Sequence, residues 1–483
     1  MTAHESSQHR AITIVSITPL RVQADSRTFK QATSVTRFGY TSIVVEEYQS
    51  NFDGAVLPFQ LRTVIRNNHT EVQMIPPQER AGQSATTRPA SRRVVWSLWQ
   101  YCKSKARSLK ARLPAPAQGV WRLARFVLRA VVYIASILVQ DFKQWLLQRR
   151  QAYREFMVSE PVLFVQYVYD FFYKYGLLPL KCTPKVSLYY LHAFYQFPAV
   201  YLLCLWHGAR YIYDAHDFYS RLEDDESLSS FWSRWIVPFE RVVETWCIKH
   251  AAAVVTVNDG IAQLIQDTFG PKAIIIRNAH DLRLDQEPSQ HLRQHLQLSP
   301  DQFLVVSVGH AKPGMAVEEM LKALLSLPPN VHVAFLGDGY APYAKTVQEY
   351  NLEDRIHFVP PVKPYEVVPF IRSADAAIVL YYSKSIDYQY SLPNRFFQSI
   401  AAELPLLYPE LTEIKRLAEL YSVGTLIDPR SPQSISTAIE ELMRDPGRVH
   451  QLKHNLCIAK EKLSWEHEEE VLRDLLARCL SKP

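Results

Sequence analysis

Paired cysteines, long apolar runs and a glycine-rich dinucleotide fingerprint are all missing from this chain of 483 residues. The six cysteines (Cys102, Cys182, Cys204, Cys247, Cys457, Cys479) are scattered, with no CxxC among them. That argues against a disulfide framework or a zinc site and suits a reducing compartment. No uninterrupted apolar stretch approaches the roughly 20 residues that span a bilayer. The longest, residues 130–139, is closed off by Arg129 and Gln140, so an integral membrane protein is not expected. The opening MTAHESSQHRAITIVSIT runs from a polar tail straight into a strand-like segment and does not read as a signal peptide. GxGxxG is absent after the first strand of either half, which disfavours a dinucleotide-dependent oxidoreductase. Carboxylates paired for glycoside hydrolysis are not evident.

What is present is enough apolar residue, 48%, to bury more than one core, and a length that points to two domains with an insertion. Charge is distributed unevenly. Residues 80–154 carry sixteen Lys and Arg against Asp141 alone, +15, so the rest of a chain of net charge +6 is at −9. Within this insert, residues 80–118 are rich in Arg, Ser, Ala and Pro. Residues 120–150 then show helical periodicity, with Trp121, Phe126, Val131, Ile134, Leu138 and Trp145 opposite Arg122, Arg125, Arg129, Lys143, Arg149 and Arg150. Such a helix suits an anionic membrane surface and equally suits packing on the domain with a solvated basic face. No recognised nucleic-acid module surrounds it.

Outside the insert, strand-like runs alternate with helical segments. AITIVSIT (11–18) and TSIVVEE (41–47) flank a helix over 27–38 preceded by Pro19 and Asp25, and residues 72–76 read as a further short strand. After the insert come VSLYYLHAF (186–194), a helix FPAVYLLCLWHGA, the strand RYIYDAHDFY, a helix over 231–250, and strands at 251–259 and 272–281. A polar linker, 282–299, leads to six more strands: FLVVSVG, VHVAFLG, IHFVP, AAIVLYY, LPLLYP and VGTLIDP. The chain ends in a helix over 463–480. This rhythm predicts two parallel doubly wound sheets, with ligands at the carboxyl ends of strands. Asp214, His216, Asp217, Asn258 and Asn278 stand there. The acidic run 223–226 reads as a solvated loop.

The stretch SLPNRFFQSIAAELPLL (391–407) predicts a short helix capped by Asn394, with Phe396, Phe397 and Ile400 turned to a core and Asn394 and Gln398 on one face. A helix N-terminus attracts phosphate, and a plain capped core helix satisfies the same pattern.

The ordered series YIYDAHDFY, AAAVVTVNDGIAQLI, AIIIRNAHD, VSVGHAKPGMAVEEMLKAL, FLGDGY, DRIHFVPPV, IRSADAAIVLYY and SLPNRFFQSIAAELP resembles the GT-B-fold retaining glycosyltransferases of family 4, over nearly the whole chain except the insert. The resemblance implies an α/β fold of two Rossmann-like (GT-B) domains facing across a cleft, with a basic helical insertion in the first. It divides the chain into residues 1–281 for the acceptor, 282–462 for the donor and a C-terminal helix, 463–483. It implies a cytoplasmic enzyme, peripheral at the inner face of the membrane if the basic helix docks there, in polysaccharide assembly. The donor is a nucleotide-diphosphate sugar and the acceptor a glycan or lipid-linked group; no cofactor, metal or nucleic acid is implied. Donor residues carried over are Gly309, Lys312, Gly337, Gly339, Asn394, Arg395 and Gln398. His216 matches the histidine that contacts the donor sugar, with Asp25, Arg27, Asp214 and Asp217 on the supporting or acceptor side. Taken alone, Lys312 is also a solvated loop lysine and His216 a strand-end histidine. Three positions depart from the family: Gln398 replaces a glutamate, Tyr390 an acid, and Pro313-Gly314-Met315 a second basic residue. These departures set an alternative expectation, a GT-B-fold accessory protein of polysaccharide assembly.

Overall fold

Near-continuous runs of Val, Ile, Leu and aromatic residues become parallel strands covered on both faces, as such sequences require. The computed structural model describes residues 12–65 except 24, 49 and 51–55, and residues 159–481 except 178, 182, 220–228, 313 and 384. The basic insert, the strand expected at 72–76 and the acidic run 223–226 lie outside the described residues. Residues 1–67 and 167–483 form one compact unit and 68–166 a second; both sheets belong to the first.

The first sheet contains β1 (Thr13–Thr18), β2 (Thr41–Tyr48), β3 (Gln60–Ile65), β4 (Leu188–His192), β5 (Arg210–Ala215), β6 (Ala253–Thr256) and β7 (Ile274–Ile275), in the order β3-β2-β1-β4-β5-β6-β7. The second contains β8 (Phe303–Val308), β9 (Val331–Leu336), β10 (Ile356–Val359), β11 (Ala376–Ile378), β12 (Leu406–Pro409) and β13 (Gly424–Ile427), in the order β10-β9-β8-β11-β12-β13. Every pairing in both sheets is parallel. Strand order reverses between β1 and β4 and between β8 and β11, and a crevice opens at the carboxyl ends of strands where order reverses.

The two sheets present their carboxyl edges to each other. Loops leaving β6 and β7 meet the loop after β11: Asn258 Nδ2 donates to the Tyr390 carbonyl at 2.8 Å, and Asn278 Nδ2 to Asn394 Oδ1 at 2.7 Å. The C-terminal helix Trp465–Ser481 returns to the first sheet. Trp465, Leu472, Leu475 and Leu476 pack with Ile14, Leu188, Tyr190 and Ile212, and the Trp465 indole N–H donates to Ser34 Oγ at 2.9 Å.

Two local expectations are corrected. The strand expected over 272–281 pairs only at Ile274 and Ile275, because Arg277 is drawn off to Glu468, to which its backbone N–H donates at 2.9 Å. The helix at 391–407 runs Asn394–Ala401 with Pro393 flanking it and no side-chain cap. Asn394 is its first helical residue, and its side chain is engaged with Asn278 and Ser26 instead.

Candidate functional site

The first sheet supplies a cluster of charge at its switch point. Asp25, the N-cap of helix Ser26–Arg37, accepts from the Thr28 N–H at 3.2 Å. Two residues on, Arg27 grips Asp214 at the end of β5 with two hydrogen bonds of 2.9 and 2.8 Å, and donates to the Ile276 carbonyl at 2.6 Å. Arg27 and Asp214 are buried. Burial alone would raise the Asp214 pKa, but Arg27, His216 and His192 hold it down to about 2, so it is a carboxylate at any working pH.

His192, at the end of β4, went unnoticed in the sequence because LYYLH reads as a core strand. Parallel register sets it beside Asp214. Its Nδ1 lies 3.0 Å from His216 Nε2, and its Nε2 lies 3.4 Å from Gln31 Oε1, which also accepts from Ser16 Oγ at 2.8 Å. Burial pushes the His192 pKa down to about 3, leaving a neutral ring. In the tautomer that gives Nε2–H to Gln31, the His192 Nδ1 accepts the Nε2–H of His216 and leaves the His216 Nδ1 for a ligand; the His216 side chain is 17% exposed. His192, Asp214 and His216 lie close enough to share a cation. Arg27 and the Tyr190 hydroxyl already occupy the Asp214 oxygens, so the positive charge there is built in.

The second sheet supplies a cradle. Gly337, at φ +147°, has no room for a side chain: a Cβ would lie 2.6 Å from the Gly309 carbonyl group. Gly309, at φ +102°, would drive one to 2.5 Å from the Arg395 guanidinium. The loops after β8 and β9 thus close on each other, with Gly339 against Ala311 and the Tyr340 hydroxyl donating to the Gly309 carbonyl at 2.7 Å. Arg395, in the first turn of Asn394–Ala401, is only 7% exposed. Its guanidinium sits 4.4 Å from the Tyr381 ring centroid and 3.5 Å from the His310 carbonyl. No carboxylate pairs with it among the described residues. Burial lowers its pKa from the usual arginine value, as expected for a cation with no counter-ion.

Ser26 joins the two clusters. Its hydroxyl accepts from both Asn278 and Asn394 at 3.3 Å, so the N-terminal turns of helices Ser26–Arg37 and Asn394–Ala401 converge. Not every expected residue is drawn in. Lys312 and Asp217 are exposed, and Gln398 is half-buried on its helix.

Beside this site, Glu47 at the end of β2 is 3% exposed, among Ile17, Val45 and Val64. Neither of its oxygens accepts a hydrogen bond of ordinary length. Burial raises its pKa from 4.5 to about 7, against the opposing pull of Lys174 and Tyr48. Below pH 4.5 folded and unfolded chains both hold the proton. Between 4.5 and 7 only the folded chain does, so stability falls as pH rises through that window, by up to about 3 kcal/mol. Glu47→Gln is expected to raise the melting temperature at pH 8 and leave it unchanged at pH 4, as read by thermal denaturation.

Comparison with known proteins fits this geometry. Residues 288–456 match the family described as Glycosyl transferases group 1, which bears out the resemblance over the second sheet. The D-inositol 3-phosphate glycosyltransferase of Rhodococcus jostii (strain RHA1) is 26% identical over 192 residues, 37% of this chain and 41% of that protein. The chain thus spans about two-fifths of the length of the curated relatives it matches. Sucrose-phosphate synthase from Thermosynechococcus elongatus superposes with a TM-score of 0.60 at 15% identity, over 97% of this chain and 99% of that one. Anabaena HepE, solved with UDP and glucose, superposes with a TM-score of 0.56 at 14% identity, over 97% and 100%. At such identities the likeness establishes the fold, the expected pair of Rossmann-like domains of GT-B type.

Proposed function

We propose that the chain is a glycosyltransferase that moves a sugar from a nucleotide-diphosphate donor to a glycan or lipid-linked acceptor, with retention of configuration. The observation that carries this reading is Arg395: a buried guanidinium without a carboxylate, at a helix N-terminus and against a glycine loop, calls for an anionic ligand. A diphosphate supplies the missing charge. Asn394 and the exposed Lys312 add donors at the rim, and HepE, of the same fold, holds UDP and glucose.

In this reading the diphosphate leaves towards Arg395 and the helix N-terminus, which stabilise its developing charge without a metal. The His216 Nδ1 addresses the donor sugar on the face opposite, held in aim by His192. Arg27 fixes the Asp214 carboxylate beside the two rings. The acceptor hydroxyl attacks the anomeric carbon from the face the diphosphate leaves: the bond from that carbon to the diphosphate breaks as the new one forms, and the hydroxyl proton passes to the departing phosphate oxygen. The Gln398 amide oxygen accepts from a ribose hydroxyl where the family uses a carboxylate.

The test is a panel of UDP-, GDP-, ADP- and dTDP-sugars incubated with the protein and candidate glycan and lipid acceptors, with products read by mass spectrometry. Transfer or slow hydrolysis of one donor class is expected. No consumption of any donor would defeat the proposal.

A further inference from the structure

We infer that the outward face of helices Phe197–His207 and Val237–His250 is a docking surface for an anionic lipid bilayer, separate in sequence from the basic segment 120–150. This goes beyond the transfer reaction and does not depend on it.

Helix Val237–His250 is built inside out. Its two carboxylates point inward: Glu240 accepts from the Tyr167 hydroxyl at 2.6 Å and Glu244 from the Tyr213 hydroxyl at 2.8 Å, and both are buried. Outward it shows Val242, 68% exposed, and Trp246, 49% exposed. A helix facing water arranges these the other way round. Its neighbour, FPAVYLLCLWH, has no charged residue before His207, yet Leu205 and Trp206 are 65% and 56% exposed. Rings join the two helices into one surface, with Tyr201 and Trp246 centroids 5.2 Å apart.

The charge on this face has one sign. Arg241 and Lys249 are exposed beside Val242 and Trp246 and form no ion pair with the described residues, while neither helix exposes a carboxylate. A second copy of the chain is a poor occupant. A two-fold interface sets a patch against itself, bringing Arg241 and Lys249 against their own kind. An anionic bilayer takes both at once: the cations meet lipid phosphates, and Trp206, Trp246 and Tyr201 have the amphipathic rings that settle at headgroup depth.

The experiment is flotation of the full chain with vesicles of mixed phosphatidylglycerol and phosphatidylcholine, against phosphatidylcholine alone. Wild-type protein is expected to float with the mixed vesicles, less so at high salt. Trp206→Ser/Trp246→Ser is expected to lower the partition coefficient about tenfold or more, the scale of losing two buried rings. Arg241→Glu/Lys249→Glu is expected to lower binding to anionic vesicles severalfold, with residues 80–154 present in wild type and variant alike. Circular dichroism checks folding, and the charge-reversed pair decides alone if the tryptophan variant does not fold. Wild-type protein that stays at the bottom, or variants that float as wild type does, would overturn the inference. A wild-type dimer that the tryptophan change dissociates, with flotation unaltered, would assign the face to a second copy and overturn it too.

Discussion

Replacing Arg395 by Met is expected to weaken nucleoside-diphosphate binding by about a hundredfold while the melting temperature holds steady or rises. The two halves of this result have one cause. A charge-assisted hydrogen bond from a buried guanidinium to phosphate contributes about 1.5–3 kcal/mol, and a bidentate contact more. Within the protein the same guanidinium is a buried cation with a tyrosine ring, a thioether and one distant carbonyl around it. Exchanging an uncompensated buried charge for an apolar side chain of similar length removes the cost of keeping that charge from water, and is neutral or stabilising. A structural arginine behaves oppositely, its loss lowering stability. Calorimetric titration with UDP and GDP, run beside thermal denaturation, separates the cases. A variant that melts many degrees lower and binds nucleotide as before would show that Arg395 serves the fold.

His216→Ala is expected to lower turnover by about a hundred- to a thousandfold, the usual scale for one aimed donor or acceptor at a reacting centre, with donor affinity changed little. His216 reaches the site from the first sheet, whereas the proposed diphosphate contacts belong to the second, so binding and chemistry should divide between them. A variant with unchanged turnover would remove His216 from the mechanism.

Much of the scaffold could be read directly from the chain. FLVVSV and VHVAFL announce themselves as buried parallel strands by apolar continuity, and β8 and β9 occupy those residues. Edges read less well. β3, QLRTVI, carries Arg62 and Thr63 amid its apolar residues, as an edge strand can, and the expectation passed it over. Two side-chain roles escaped the sequence because the partner is distant in it. Asn394 has the chemistry of an N-cap, but Asn278, 116 residues away, claims its oxygen. His192 carries no local mark, and its role arises only when β4 and β5 pair in register with Asp214. Arg395 was reached by resemblance to a family. That no described carboxylate pairs with it, the property that gives it meaning, depends on Tyr381, His310 and Met315 converging from other loops.

The proposed function stands or falls on whether the Gly309 loop and Arg395 hold a nucleotide diphosphate. The decisive experiment is calorimetric titration of the wild-type chain with UDP, GDP, ADP and dTDP. Saturable one-to-one binding of at least one of the four is expected, lost in Arg395→Met and kept in His216→Ala. Absence of binding by all four, or binding that survives Arg395→Met undiminished, would contradict it.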